Sequence, residues 1–393
     1  MADLDRIDLV DPDNYVDDAP FAWFDALRRE RPVMWHEEPA PNHGFWSVTR
    51  YDDLVDVHMD WETYSSEVGA VALEELDAEQ LEIRRSMLET DPPRHRDLRN
   101  ICNKRFTVRG LQPYEDFIRE IARGVLDRAF AKGEFDFVME IAKELPIRFL
   151  CAIFEVPQDD APMLIDWGDA MIGNQDPEYS AAVVDQVDTE AFRLLPFRSP
   201  IARDVFAYGR RQRDLRLEEP QDDVINALTI AQQEGILTER DYDNYFSLLM
   251  IAGNETTRHT ISHGMHALME NPDQLRLLEE DPSLIPNAVE ELIRYDCSVI
   301  AWRRRTRVAV TMSNVEIPAG AQVLAVLGSA NRDERVFPDG DRLDFERGNS
   351  RSHLAFGFGA GLEMLLDASA PVASLADLTH LLSGFCGQHC GAG

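Results

Sequence analysis

Asn244–Leu268 reads NYFSLLMIAGNETTRHTISHGMHAL, a long helical pattern with a polar defect at its centre. Phe246, Leu248, Leu249, Met250 and Ile251 are apolar on all sides, the pattern of a helix buried in a large core. Ala252-Gly253 then sets two minimal side chains together. A glycine inside a helix costs roughly 1 kcal/mol against alanine, so a packing or functional reason is expected there. Glu255, Thr256 and Thr257 follow, and Thr256 can turn its hydroxyl back onto the Ala252 carbonyl, which loosens and bends helices. This stretch alone leaves two readings open. One is a kinked core helix with a satisfied polar pair. The other is a groove where a flat group approaches the backbone beside a buried carboxyl and hydroxyl.

The rest of the chain bounds the choice. Its 393 residues with 44% hydrophobic content can bury a sizeable core. Lys plus Arg number 39 against 72 Asp plus Glu, a formal charge of -33, which argues against nucleic-acid binding and against adhesion to anionic membranes. No apolar run approaches the roughly 20 residues that span a bilayer, and MADLDRIDLVDPD lacks the apolar centre of a signal peptide. A cytoplasmic monomer is expected. Cys102, Cys151 and Cys297 are scattered without a pairing signature and read as small buried apolar residues.

Before the central stretch, Phe21 to Arg31 reads as a helix. Pro32 to His36 and Phe45 to Thr49 read as a hairpin around a turn at Pro39 to Gly44. Ser65 to Thr90 is of mixed character and is expected to be a mobile segment near a binding site. Asp91-Pro92-Pro93 opens a helix in which His95 and Arg99, four apart, share a face and can hold a carboxylate. Helices follow between Leu111 and Phe154, over Ala161 to Ile172 and over Arg203 to Leu217. The connection Gly173 to Pro200 has the length of a lid or entrance. After the central stretch, Ile285 to Tyr295 carries Glu291 and Arg294, a spacing worth only a few tenths of a kcal/mol on a surface. Val299 to Val326 is strand-like, and a long Asp-, Arg-, Asn- and Gly-rich loop leads to Phe356.

Taken together, AGNETT at Ala252–Thr257, Glu291-x-x-Arg294, Arg347 in the DFER segment, and Phe356-Gly357-Phe358-Gly359 after His353 resemble the cytochrome P-450 haem-thiolate monooxygenases in order and spacing. The resemblance runs from about residue 15 to Gly359. It implies the family's mainly α fold with a small sheet-rich portion near the N-terminus, as one domain over 1–359. It also implies haem b (iron protoporphyrin IX), a ferredoxin-type redox partner with its reductase, and a hydrophobic substrate. AGNETTRHTISHG, MIGNQDPEYS and EEPQDDVINAL are similar to soluble bacterial members that hydroxylate steroids and terpenoid or branched lipids. By that resemblance His95, Arg99, Arg304 and His353 hold the haem propionates, and Ala252 and Gly253 let porphyrin and dioxygen lie against the helix. Phe356 belongs to the haem loop. Glu255 and Thr256 are the acid and alcohol that relay protons for dioxygen cleavage. Glu291, Arg294 and Arg347 form a buried network that locks the haem-side loop. The segments Val68 to Leu88 and Met171 to Arg203 fall where the family binds substrate.

One part departs. The family's iron ligand lies in Phe-x-x-Gly-x-(His/Arg)-x-Cys-x-Gly. Phe356 and Gly359 match, but Gly361, Glu363 and Leu365 stand where His or Arg, Cys and Gly belong. Glu363 at the cysteine position is a hard oxygen ligand without the thiolate's electron push. Residues 360–393 therefore read as an atypical tail of foreign origin, such as a frameshift, replacing the ligand loop and its following helix. Cys386, His389 and Cys390 lie close enough together for zinc, but a fourth ligand is wanting. Three functions follow: a haem-dependent monooxygenase; a catalytically dead P-450-like protein, either a defective product or a lipid-binding protein; and, explaining almost none of the sequence, a helical metal-binding protein centred on Cys386, His389 and Cys390.

Overall fold

The computed structural model describes residues 4–16, 18–39, 42–69, 71, 74–173 and 190–357. Phe358, Gly359, Glu363 and the whole 360–393 tail lie outside the described residues, as does most of the 173–200 connection.

The central helix runs Glu239–Glu270, five residues earlier and two later than the apolar pattern suggests. Its start is set by Thr238. The hydroxyl of Thr238 accepts from the Asp241 N–H (3.1 Å), and Asp241 accepts in return from the Thr238 N–H (2.9 Å), closing a capping box. Tyr242, Tyr245, Phe246, Leu249, Met250 and Ile251 pack into one hydrophobic cluster, with residues of helices Glu144–Ile153, Ala161–Ile172 and Ala202–Glu218. Ile261, Ala267 and Leu268 pack into a second, shared with helix Ile285–Tyr295 and the main sheet. The polar run 252–260 lies between these two clusters.

Seven short strands occur among the described residues: β1 (Val33–His36), β2 (Phe45–Val48), β3 (Tyr64–Ser65), β4 (Ala301–Thr306), β5 (Val310–Met312), β6 (Val315–Ile317) and β7 (Gln322–Val326). The main sheet has the order β1-β2-β7-β4-β3, and β5 and β6 form a separate hairpin. The expected N-terminal hairpin is present, with Val33 opposite Val48 and Gly44 at φ +77°. The sheet is not, however, an N-terminal feature. β2 pairs in parallel with β7, Trp46 against Val323, so strands nearly 300 residues apart share it. β7 is buried at all five positions, which explains its continuous apolar run.

The Ser65–Thr90 stretch holds more local structure than its composition suggests. Helix Ala78–Arg84 is started by a capping box between Asp77 and Gln80, and Ser86 and Glu89 cap the turn Met87–Glu89. Besides Ala78–Arg84, the helices Val224–Gln233 and Pro272–Glu280 escaped the sequence reading. No described helix is long and apolar enough to cross a membrane.

Candidate functional site

Within the central helix, Ala252, Gly253, Thr256, Thr257 and Thr260 are only half-buried, whereas Phe246, Leu249 and Met250 before them are buried. Ala252, Thr256 and Thr260 are four apart and share a face. The Thr256 hydroxyl donates to the Ala252 carbonyl (2.9 Å), and the Thr260 hydroxyl to the Thr256 carbonyl (2.9 Å). Thr260 Oγ1 also meets Ser298 Oγ at 2.6 Å, tying this face to the segment that follows helix Ile285–Tyr295. Gly253 faces elsewhere. A Cβ there would meet Leu150 Cδ1 at 3.3 Å, so its small size serves the packing of helix Glu144–Ile153, and Ala252 is the small residue on the threonine face.

Glu255 is one residue, about 100° of helix, from Thr256, and no hydrogen bond joins the two side chains. The Glu255 carboxylate instead pairs with Arg258, one turn on. Arg258 also pairs with Asp169, and Asp169 takes Lys143 at 2.8 Å. This buried chain of alternating charge joins three helical segments. Its fully buried end is incompletely satisfied: Glu255 Oε1 and both polar atoms of the Asn254 side chain have no hydrogen-bond partner. His259 Nε2 reaches the Glu255 carboxylate at 3.5 Å from the solvent side.

A second set of groups lies on β4 and the helices Tyr51–Met59 and Arg94–Cys102. The structure separates the three consecutive arginines of β4. Arg303 is paired with Glu38 (2.6 Å) and lies over the Phe45 ring. Arg305 is half-buried beside Gly69. Arg304 is buried and donates only to the Arg303 carbonyl (2.8 Å), with no carboxylate at ion-pair distance among the described residues. Burial pushes its pKa down to about 10, against the weaker pull of Asp91 and Glu89. Such a cation is a ready anion-binding group. His58, which the sequence did not single out, is its neighbour. Burial and then the Arg304 charge push His58 down to about 4, its Nδ1 donates to the Leu54 carbonyl (2.7 Å), and its Nε2 has no partner. A lone histidine on an amphipathic helix gives no sequence signal.

His95 is buried and Arg99 half-buried, and both line an open groove of about 560 Å³ together with Trp61, Arg96, Asn100 and Asn103. His353 is buried with Nε2 on Glu290 (3.1 Å) and its ring edge-on to Phe356, 5.2 Å between centroids. Hydrogen bonding from His353 holds the Glu290 carboxyl below its usual range.

The Glu291 network is complete in this structure. Arg294 donates to both oxygens of Glu291 (2.7 and 2.8 Å) and to the carbonyls of Asn331 and Gly340. Arg347 Nε donates to Glu291 (3.0 Å), and its Nη groups donate to the Pro338, Asp339 and Arg342 carbonyls. The Ser350 hydroxyl and the Asp344 N–H complete the shell of Glu291. One glutamate and two arginines thus hold the long loop 331–350, whose own backbone pairing is sparse. Cys102, Cys151 and Cys297 are buried free thiols, each pushed up to about 12 by burial.

Comparison with known proteins places this geometry. The family profile described as Cytochrome P-450 matches residues 188–361. Cytochrome P-450 126 of Mycobacterium tuberculosis is 35% identical, over 98% of this chain and 92% of its own length. The steroid C26-monooxygenase of Mycobacterium tuberculosis is 31% identical, over 92% of this chain and 82% of its own. A Mycobacterium marinum cytochrome P-450 solved in complex with pseudoionone superposes with a TM-score of 0.84 at 33% identity, covering 98% of this chain and 92% of that one.

Proposed function

This chain belongs to the cytochrome P-450 family of monooxygenases, and from that premise we propose that it binds haem b and hydroxylates a hydrophobic small molecule with dioxygen and electrons from a small redox protein. The observation that carries the reading is Arg304, a buried cation lacking a carboxylate, as a residue awaiting a haem propionate would be. Bound haem would supply the iron chemistry that activates dioxygen. The residues present fit the group. Arg304, with His95 and Arg99, would hold the propionates, and the half-buried Ala252 and Thr256 face leaves room beside the helix backbone. Thr256 keeps its hydroxyl on that face, where it can pass a proton on. Glu255 would exchange protons through His259, while Arg258 holds its carboxylate in place. Glu291, Arg294 and Arg347 would fix the loop that leads to Phe356.

The relatives support a hydrophobic, terpenoid or steroid-like substrate: one is named a steroid C26-monooxygenase and a neighbour was solved with pseudoionone. A basic patch supports an acidic ferredoxin-type partner. In a chain of charge -33, Arg94, Arg96, Arg99, Lys104, Arg105 and Arg109 crowd one segment that holds a single acid, Asp97, and Arg96, Lys104 and Arg109 are exposed.

A second reading, a P-450 fold without oxygen-splitting activity, is favoured by one observation: Glu363 stands where the family carries its cysteine. The reduced, carbon monoxide-bound absorbance spectrum of the haem-supplemented protein decides. A strongly red-shifted Soret band means that a cysteine ligates the iron and upholds the monooxygenase. A band of nitrogen or oxygen ligation, or no haem uptake, upholds the second reading.

A further inference from the structure

Beyond Arg258 the central helix carries three histidines, His259, His263 and His266. His259 and His263 are four residues apart, so they stand one above the other on one helix face, and their ring centroids are 5.7 Å apart. Their side chains are 46% and 40% exposed, so both rings are open to solvent. Each ring has a carboxylate beside one nitrogen. His259 Nε2 lies 3.5 Å from Glu255 Oε2, and His263 Nδ1 lies 3.1 Å from Asp296 Oδ1, off the line of a hydrogen bond. Among the described residues no hydrogen bond occupies the other nitrogens, Nδ1 of His259 and Nε2 of His263.

Metal-ligating histidines set one ring nitrogen toward a carboxylate and give the other to the ion. Both rings here have that orientation. A metal–nitrogen bond of about 2.1 Å holds an ion roughly 3 Å from a ring centre, so two rings within about 6 Å can share one ion. Exposed side chains change rotamer in nanoseconds or less, so small rotations bring the two nitrogens onto it. Imidazole suits zinc, nickel and copper, whereas magnesium and calcium want oxygen. Among the described residues no three His, Cys, Asp or Glu side chains already converge on one point. Water would therefore complete the coordination.

We propose that His259 and His263 form a surface site for one divalent transition-metal ion, zinc, nickel or copper, with the carboxylates of Glu255 and Asp296 behind the two rings. A bound ion would take His259 from Glu255 and close its proton exchange. That consequence rests on the monooxygenase reading. The binding itself does not.

Isothermal titration of nickel chloride into the full, tag-free chain tests it. Cys386→Ser, His389→Ala and Cys390→Ser in the background remove competing ligands. One ion per chain should bind. His259→Gln and His263→Gln should each weaken binding by about tenfold or more, and Asp296→Asn by about tenfold. His266→Gln should leave it unchanged. Copper should bind more tightly than nickel, and nickel more tightly than cobalt. The helical spacing exists only in the folded chain, so nickel chloride should raise the unfolding midpoint of the parent and not that of His259→Gln. Equal affinity in the parent and both histidine variants, a loss at His266→Gln as large as at His259→Gln, or a midpoint that nickel does not raise overturns the site. Its failure is distinct from failure of the monooxygenase reading, which the carbon monoxide spectrum reports.

Discussion

Glu291 and Arg294 lie one helical turn apart, and both are fully buried, with two hydrogen bonds of 2.7 and 2.8 Å between them. On a surface the pair would be worth a few tenths of a kcal/mol. Here each is also bonded to the loop 331–350, so removing one leaves the other charged and buried. Glu291→Ala or Arg294→Ala should each cost about 3–5 kcal/mol. Urea unfolding curves check this, and a loss under about 1 kcal/mol would show that the network does not hold the loop.

Arg304→Met should act in opposite directions on two readouts. Removing an unpaired buried cation should stabilise the haem-free protein by roughly 3 kcal/mol, the scale of a pKa lowered from 12.5 to about 10. Haem retention, read as Soret absorbance per protein after haem supplementation, should fall. Arg303→Met, which strands Glu38, should destabilise instead.

His58 gives the protein an acid sensitivity with a defined sign. Its folded pKa of about 4 lies below the ordinary 6.5, so the unfolded chain takes up the proton first. Its contribution is complete above pH 6.5 and is lost as pH falls toward 4, at about 1.4 kcal/mol per pH unit. His36, also pushed down to about 4 by burial, adds the same slope. Between pH 7.5 and 5.5, His58→Phe should therefore lose less stability than the parent protein, by roughly 1 kcal/mol. Equal losses would mean that His58 titrates normally.

Gly253 and Ala252 should separate in mutagenesis. Gly253→Leu drives a side chain into Leu150 and should cost about 1–3 kcal/mol. Ala252→Leu fills the half-buried threonine face and should leave stability within about 1 kcal/mol while reducing haem uptake. Thermal unfolding and haem titration of both variants would show whether the two small residues do different work.

Charge reversal at Arg96, Lys104 and Arg109 should weaken binding of an acidic ferredoxin by about tenfold at low salt and much less at high salt, because exposed charges mainly steer encounter. Isothermal titration at two ionic strengths checks it. A salt-independent effect would point to a contact of another kind.

Much of the fold was legible because its signals are local. The apolar run from Phe246 to Ile251, the hairpin at Val33–Val48 and the strands of 301–326 each follow from periodicity within a few residues. The site was legible only as an ordered set of residue types. Glu255 next to Thr256 reads as a pair, yet the helix turns them to different faces, and Glu255 meets Arg258 while Thr256 meets Ala252. The missed helices Ala78–Arg84, Val224–Gln233 and Pro272–Glu280 are short and lie beside stronger patterns.

The sequence by itself determined the family, the central helix with its polar centre, and the absence of the cysteine pattern at Gly361, Glu363 and Leu365, since each is a matter of residue identity and spacing. Only the tertiary structure decided which of three adjacent arginines is buried without a carboxylate, that His58 sits beside it, and that Gly253 serves packing. Those outcomes depend on which groups reach one another through space, and a burial or an unpaired charge belongs to the neighbourhood that the fold assembles.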